Sequence, residues 1–180
     1  NFAGENYFII NNHFKCCGDG ILDLNDEFDE ENRRYTAMNL LKAYIDENLS
    51  NEKVIVLGDL NDDISEPYLN NVFQDVLNDS DSYQFADLFI AQGNSLNWSF
   101  PNWPSHLDHI LITNELFDEV DSIEVNTIRV DDYINGGWAE YDQNISDHRP
   151  VAMKIHFNYE LSFDLNNDGL VNENDITMLI

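Results

Sequence analysis

The sequence predicts an α/β layered domain, and three observations carry that expectation. Val54-Ile55-Val56-Leu57 is uniformly apolar, as in a strand covered on both faces. Residues 32–49 place apolar side chains at helical spacing. Acids, amides and imidazoles gather where the apolar runs begin or end: Asn11-Asn12-His13, Gly58-Asp59-Leu60-Asn61, His106-Leu107-Asp108-His109 and Ser146-Asp147-His148. Such side chains are costly to keep for packing alone. Converging from several strands, they can build a metal-assisted hydrolase site.

The elements follow in order. Tyr7 to Asn12 reads as a buried strand that delivers His13 to its end. Gly18 to Glu31 is an acidic loop. Its Asp23-x-Asn25-x-Glu27 spacing approaches a calcium loop but lacks the glycine at position six, so a solvated loop is the better reading. From Asn32 to Leu49, the residues Ala37, Leu40, Leu41, Tyr44, Ile45 and Leu49 define one helical face. Val54–Leu57 is the next strand, and a helix is expected around Tyr68 to Leu77. Pro101 and Pro104 exclude regular helix over 97–104, leaving an aromatic loop. Leu107–Thr113, Ile123–Val130 and Pro150–Phe157 read as strands, the last with Val151, Met153, Ile155 and Phe157 on one face.

After Phe157 the character changes. A linker spans 158–163, and 164–180 holds Asp164-x-Asn166-x-Asp168-Gly169 with Asp175 at the twelfth position. That is a calcium-loop pattern. Asp164, Asn166 and Asp168 supply oxygens, Gly169 permits the turn, Leu170 stands at the backbone-carbonyl position, and Asp175 closes the site in place of the usual Glu.

With 180 residues, about one domain's worth, the chain can bury roughly 70% of its unfolded surface. Its 35 acidic and 8 basic side chains give a formal charge of −27. This opposes binding to polyanions unless metal ions or local cations offset it, and it fits saline surroundings. Lys15 lies two residues after His13, Arg149 directly follows His148, and Arg33 and Arg34 open the helical segment, so a local positive patch is one expectation and chance placement the other. No apolar run is long enough to span a bilayer. The chain begins at Asn1 and runs at once into a strand, which reads as a fragment. Cys16 and Cys17 are adjacent; a bridge between neighbours is strained, so free thiols or a bond to another segment are equally open.

Phosphate-ester hydrolysis needs a hard cation, a positioned water and donors for the developing charge. Asp59 ends an apolar strand where a structural carboxylate is poorly tolerated. Asn61 can donate its amide to a phosphate. Asp147 and His148, adjacent in an extended segment, point different ways, one to a metal and one to substrate. Asp108 is the natural partner for a histidine, with His109 the alternative base. His106 reads as a packing residue.

In those motifs, and in Leu107-Asp108-His109-Ile110 and Ser146-Asp147-His148-Arg149-Pro150-Val151, the chain resembles the endonuclease/exonuclease/phosphatase superfamily, the DNase I-like fold. The resemblance implies a four-layer α/β sandwich with two central sheets, of which residues 1–157 look like the second half. It implies a divalent-metal phosphoesterase, with Mg²⁺ or Mn²⁺ as cofactor. His13 resembles the histidine that bonds the phosphate or assists the leaving group. Asp59 resembles the aspartate that orients or deprotonates water and contributes to the metal site. Asn61 resembles the phosphate-contacting asparagine, Asp147 a metal ligand, and His148 with Asp108 the dyad at the scissile phosphate. The family's main metal-binding Glu lies in the first half of the domain, so this chain is expected to be inactive alone. The tail resembles a dockerin or EF-hand repeat, which implies Ca²⁺, an extracellular location and a cohesin-like partner.

Three functions follow as expectations. The first is a secreted endonuclease acting on nucleic acid, with Lys15, Arg149, Trp98 and Trp103 at the substrate, the rings stacking on bases or else plugging a loop. The second is a phosphatase or lipid phosphodiesterase of the sphingomyelinase or inositol-phosphatase kind, favoured by the acidic charge. The third is a calcium-dependent scaffold or adhesion module built on an inactive enzyme fold.

Overall fold

The computed structural model describes residues 6–155. The tail motif at Asp164, Asn166, Asp168, Leu170 and Asp175 lies outside them, as do Phe157 and the 158–163 linker. Two sheets form. One holds four strands in the order β1-β2-β4-β3, comprising β1 (Tyr7–His13), β2 (Lys53–Asp59), β3 (Tyr83–Phe85) and β4 (Asp108–Thr113). The other pairs β5 (Ile123–Thr127) with β6 (Val151–Ile155), antiparallel. Helices α1 (Glu30–Asn48), α2 (Gln74–Leu77), α3 (Leu88–Ala91) and α4 (Gly137–Asn144) complete the mixed α/β arrangement.

Alternation along the strands divides the core in two. Val54, Val56 and Leu111 pack with Met38 and Ile45 of α1 and with Phe73 and Phe85 on one face of the large sheet. Ile55, Ile110 and Ile112 pack on the other face with Val125, Val151 and Met153 of the small sheet. Asp29 caps α1, its carboxylate accepting the Asn32 N–H at 2.7 Å.

Several expectations change. β1 is an outer strand rather than a buried one, and Ile9 is 66% exposed. The buried positions of α1 are Glu31, Arg34, Met38 and Ile45, while Leu40 and Tyr44 face solvent. Only Gln74–Leu77 of the expected 68–77 helix forms. Asn71 explains this: its buried amide donates to the Ile64 and Glu66 carbonyls and accepts the Phe73 N–H, so the side chain competes with helical backbone pairing. β5 stops at Thr127: Ile128 still donates its N–H to the Pro150 carbonyl, but Pro150 has no N–H to return, and the Ile128 carbonyl instead accepts the Val130 N–H as the chain turns into a 3-10 segment at Val130–Tyr133. The short elements β3, α3 and α4 had no periodic signal long enough to read.

Register positions the site. Parallel pairing sets His13 opposite Asp59, and antiparallel pairing sets Asp59 opposite Asp108. These three side chains form a row across neighbouring strand ends. Gly58, at φ +134°, pairs with Asn12, and a Cβ there would collide with the Asn12 carbonyl. Glycine therefore precedes Asp59 for a steric reason.

Candidate active site

The row is completed by His148, brought in by the segment between α4 and β6. Its Nδ1 lies 2.7 Å from Asp108 Oδ2, and its Nε2 faces Asp59 Oδ2 at 3.9 Å. His13 Nε2 approaches the same Asp59 oxygen at 3.4 Å from the solvent side. Asp59 keeps its other oxygen on the Asn61 N–H, at 3.0 Å. The Asp108 carboxylate accepts from Nδ1–H, which leaves Nε2 turned toward Asp59. The Phe100 ring lies against the imidazole, with centroids 4.8 Å apart.

Electrostatics follow from this geometry. Burial, then the neighbouring Asp108 charge, push the Asp59 carboxyl above its ordinary range, against the pull of His148, the Asn61 N–H and His13. The hydrogen bond to Asp108 raises the His148 imidazole, and the Asp108, Asp59 and Asp147 charges add to it, while burial opposes. A carboxylate so perturbed is a stronger proton acceptor, and an imidazole so paired holds its proton to higher pH.

The structure does not treat all expected site residues alike. Asn61 occupies a left-handed conformation at φ +56°, and its amide donates to the Phe14 carbonyl at 3.1 Å, so it clamps the end of β1. Asp147 is exposed and lies outside the Asp59–Asp108–His148 group. Arg149 is buried: its guanidinium forms a two-point pair with Asp131 at 2.9 and 2.6 Å and donates to the Leu96 carbonyl. Its guanidinium is thus committed to partners inside the protein rather than turned toward the Asp59 row. Arg34 is likewise held inside, by Glu31 and Asp62. The expected positive patch dissolves, because these two guanidiniums are neutralised by buried partners. Lys15 places its ammonium 4.0 Å from Cys16 Sγ. Cys16 and Cys17 are exposed free thiols with sulfurs 2.8 Å apart.

Of the aromatic residues, Trp98 is the loop plug. Its indole N–H donates to the Ile90 carbonyl at 3.0 Å and its ring packs on the second core cluster. Trp103 is 80% exposed at a turn. Replacing Trp98 with Phe should cost about 0.5–1.5 kcal/mol in urea denaturation, the net worth of one hydrogen bond; a variant as stable as the parent would show that the indole bond to Ile90 contributes nothing.

His109 is not an alternative base. It faces the other side of the sheet, between Phe73 and Phe85. Its Nδ1 lies 2.6 Å from Asp87 Oδ2 and its Nε2 2.8 Å from the Asp62 carbonyl. Both partners only accept, so both ring nitrogens carry protons and the buried ring is an imidazolium. Burial alone would lower His109, but the Asp87 charge and hydrogen bond hold it above its ordinary value. Burial would raise Asp87, yet the His109 charge and the bonds from His106, His109 and the Ile110 N–H hold it well below the carboxylate range. His106 is buried too, with Nε2 3.0 Å from Asp87 and Nδ1 accepting the Ser99 N–H. The Asp87–His106–His109 group is close enough to hold an ion, but every ring nitrogen already has a hydrogen-bond partner.

This network reaches the dyad through Ser99, which is fully buried. Its hydroxyl accepts the Leu107 and Asp108 N–H groups, and its carbonyl accepts the Arg149 N–H at 2.7 Å. One serine therefore ties the strand bearing Asp108 to the segment bearing His148. Sequence reasoning missed Ser99 and Asp87. For Asp87 a signal existed: an acid inside Phe85-Ala86-Asp87-Leu88-Phe89 must find buried partners. Ser99 carries no such mark.

Asp59, Asp108 and His148 offer ligand atoms within 4.8 Å of one another. Two carboxylates and an imidazole suit a hard divalent ion. Asp108 is committed to His148 at hydrogen-bond distance, which leaves Asp59 as the carboxylate best placed to hold one.

The model of the endonuclease/exonuclease/phosphatase family matches residues 13–148. No significant match exists among the curated proteins. In structure the chain is similar to a functionally unknown conserved protein from Enterococcus faecalis V583, with 16% identity and a TM-score of 0.50 over 86% of this chain and 52% of that one. It is also similar to truncated Caenorhabditis elegans TDP2, with 14% identity, a TM-score of 0.49, and 86% and 56% of the two chains covered. For the human Nocturnin catalytic domain with bound sulfate anion, the identity is 14%, the TM-score 0.47, and the coverage 86% and 49%. The chain spans about half the length of each. At this identity the first likeness speaks for the fold alone.

Proposed function

Because the chain belongs to the endonuclease/exonuclease/phosphatase family, whose model matches residues 13–148, we propose that it carries the water-activating part of a divalent-metal phosphodiesterase. The observation that carries the reading is the approach of His13 and His148 to one oxygen of Asp59, with Asp108 behind His148. Asp59, at the centre of the row, holds the attacking water at a carboxylate oxygen in position to receive its proton. His148, fixed by Asp108, donates Nε2–H to a phosphoryl oxygen, and exposed His13 donates to a second oxygen or to the leaving group. Asn61 positions this set by holding the end of β1, with Asp147 available from the solvent side. Mg²⁺ or Mn²⁺, bound through Asp59, would supply Lewis-acid stabilisation of the developing charge.

In this reading the chain is the second half of a four-layer sandwich, and a preceding segment brings the remaining metal carboxylate. An apolar cavity of about 440 Å³ supports it, lined by Tyr7, Ile9, Ile55 and Leu57 of the large sheet, on the face that carries Asp59, and by Val151 and Met153 of the small sheet. Ile9, 66% exposed at its rim, leaves apolar surface there for a packing partner. The substrate is a phosphodiester, with nucleic acid first. A calcium-binding tail at 164–180, an extracellular setting and a cohesin-like partner belong to the same proposal. The formal charge of −27 favours a second reading, a phosphatase or lipid phosphodiesterase acting on a less polyanionic substrate.

The test compares plasmid DNA, sphingomyelin and inositol phosphates with the complete protein in Mg²⁺. DNA cleavage is expected, and its absence removes the nuclease. Residues 1–180 alone should be inactive, so full activity from them would sink the half-site reading.

A further inference from the structure

The loop between β1 and α1 gathers three carboxylates. Asp19, Asp29 and Glu31 present ligand oxygens within 4.8 Å of one another, with Asp19 exposed and Glu31 2% exposed at the inner end. Each spends one oxygen on the protein. Asp19 Oδ1 accepts the Ile21 N–H, and Asp29 Oδ2 accepts the Asn32 and Asp23 N–H groups. Glu31 Oε1 accepts the Gly20 N–H at 2.8 Å and pairs with Arg34 at 3.1 Å. The second Glu31 oxygen, Oε2, is buried with no hydrogen-bond partner. A buried carboxylate oxygen left this way is costly, and an ion is one of the few groups that relieves it.

We propose that Asp19, Asp29 and Glu31 form a structural Ca²⁺ site at the base of this loop, separate from the Asp59 centre. Ca²⁺ bonds oxygen at about 2.3–2.6 Å in flexible geometry, which carboxylates spaced along an irregular loop satisfy. Mg²⁺ demands a stricter octahedron and fits such a loop less well. Arg34 does not neutralise the surroundings. It faces Glu31 and Asp62 together, and burial, then the Asp62, Asp63 and Glu31 charges, push Glu66 up to about 7 against its pull. Gly18, at φ +113°, leaves room for the Glu31 carboxylate where a Cβ would collide with it. The ion would also stiffen the chain just past His13, because Arg34 Nη1 holds the Lys15 and Cys17 carbonyls at 2.8 and 2.6 Å.

The experiment is hydrogen exchange of the full chain with CaCl₂ or MgCl₂, paired with calorimetric Ca²⁺ titration. Ca²⁺ should slow exchange over residues 16–32 more than Mg²⁺ does. Asp19→Asn, at an exposed position, should abolish that protection and weaken one Ca²⁺ affinity by about tenfold or more, roughly 1.4 kcal/mol. Asp168→Asn in the tail should leave protection over 16–32 intact. Glu31→Gln probes the buried end; should it misfold, Asp19→Asn decides alone. The proposal is overturned if Ca²⁺ gives no protection over 16–32, or if Asp19→Asn leaves that protection unchanged.

Discussion

Replacing His148 with Ala in the complete protein should lower kcat/KM by about 10²–10⁴-fold, the usual worth of a positioned proton-transfer group. The substitution removes the only imidazole, among the described residues, that joins Asp108 to Asp59. It also leaves the Asp108 carboxylate with no donor to its Oδ2. Stability should change far less than activity, because His148 is only half-buried. His148→Gln restores bulk and one donor but no titrating nitrogen, so it should recover little. Asp108→Asn should fall in the same range, and the double variant should be scarcely worse than either single one, because the pair acts as a unit. Turnover unchanged in His148→Ala would dismiss the hydrolase role and revive the scaffold reading.

The second large effect concerns folding. Asp87→Asn should destabilise the protein by about 3–5 kcal/mol, the penalty for leaving a buried charge without its partner. Asp87 accepts from His106 and His109 on one oxygen and from the Ile110 N–H on the other. An amide offers one acceptor and sets its NH₂ against a donor, while the His109 imidazolium stays buried without its counter-charge. Urea denaturation measures this, and a loss below 1 kcal/mol would show that His109 is neutral. The same pair dictates a pH profile. The depressed Asp87 pKa contributes stability above the ordinary carboxylate value and loses it as pH falls through the lowered one. The raised His109 pKa contributes fully below the ordinary imidazole value, and that stability is lost as pH rises through the raised one. The pair's contribution should therefore be greatest between about pH 3.9 and about pH 6.5, and Asp87→Asn should flatten it.

Much of this was legible in the residue order. The long elements announced themselves: α1 by spacing, β2 by its unbroken apolar run, β4 by an apolar stretch after an acid. The strand-end acids pointed to a site, because burying a carboxylate near Asp59 needs a reason. What stayed hidden depends on three-dimensional partners. Arg149 stands beside His148 in sequence, yet its neighbour in space is Asp131, which removes its charge from the site. His109 stands beside Asp108, yet strand alternation sends it to the opposite face and into the core. Asn71 looked like one more helical position until its amide bonds to Ile64 and Glu66 showed otherwise.

The row formed by His13, Asp59 and Asp108 has a further consequence. Each belongs to a different strand, and only hydrogen-bond pairing aligns them. A slip of one residue between β2 and β4 turns every side chain of the slipped strand to the other face. Asp108 would leave the row, and no neighbouring position could replace it, since Leu107 and His109 flank it. Slipped molecules would keep most of their secondary structure yet lose the aligned row. If the proposed function holds, turnover per mole of the complete protein would serve as a folding assay: it would count molecules whose strands have found the correct alignment, a fraction to which circular dichroism is blind.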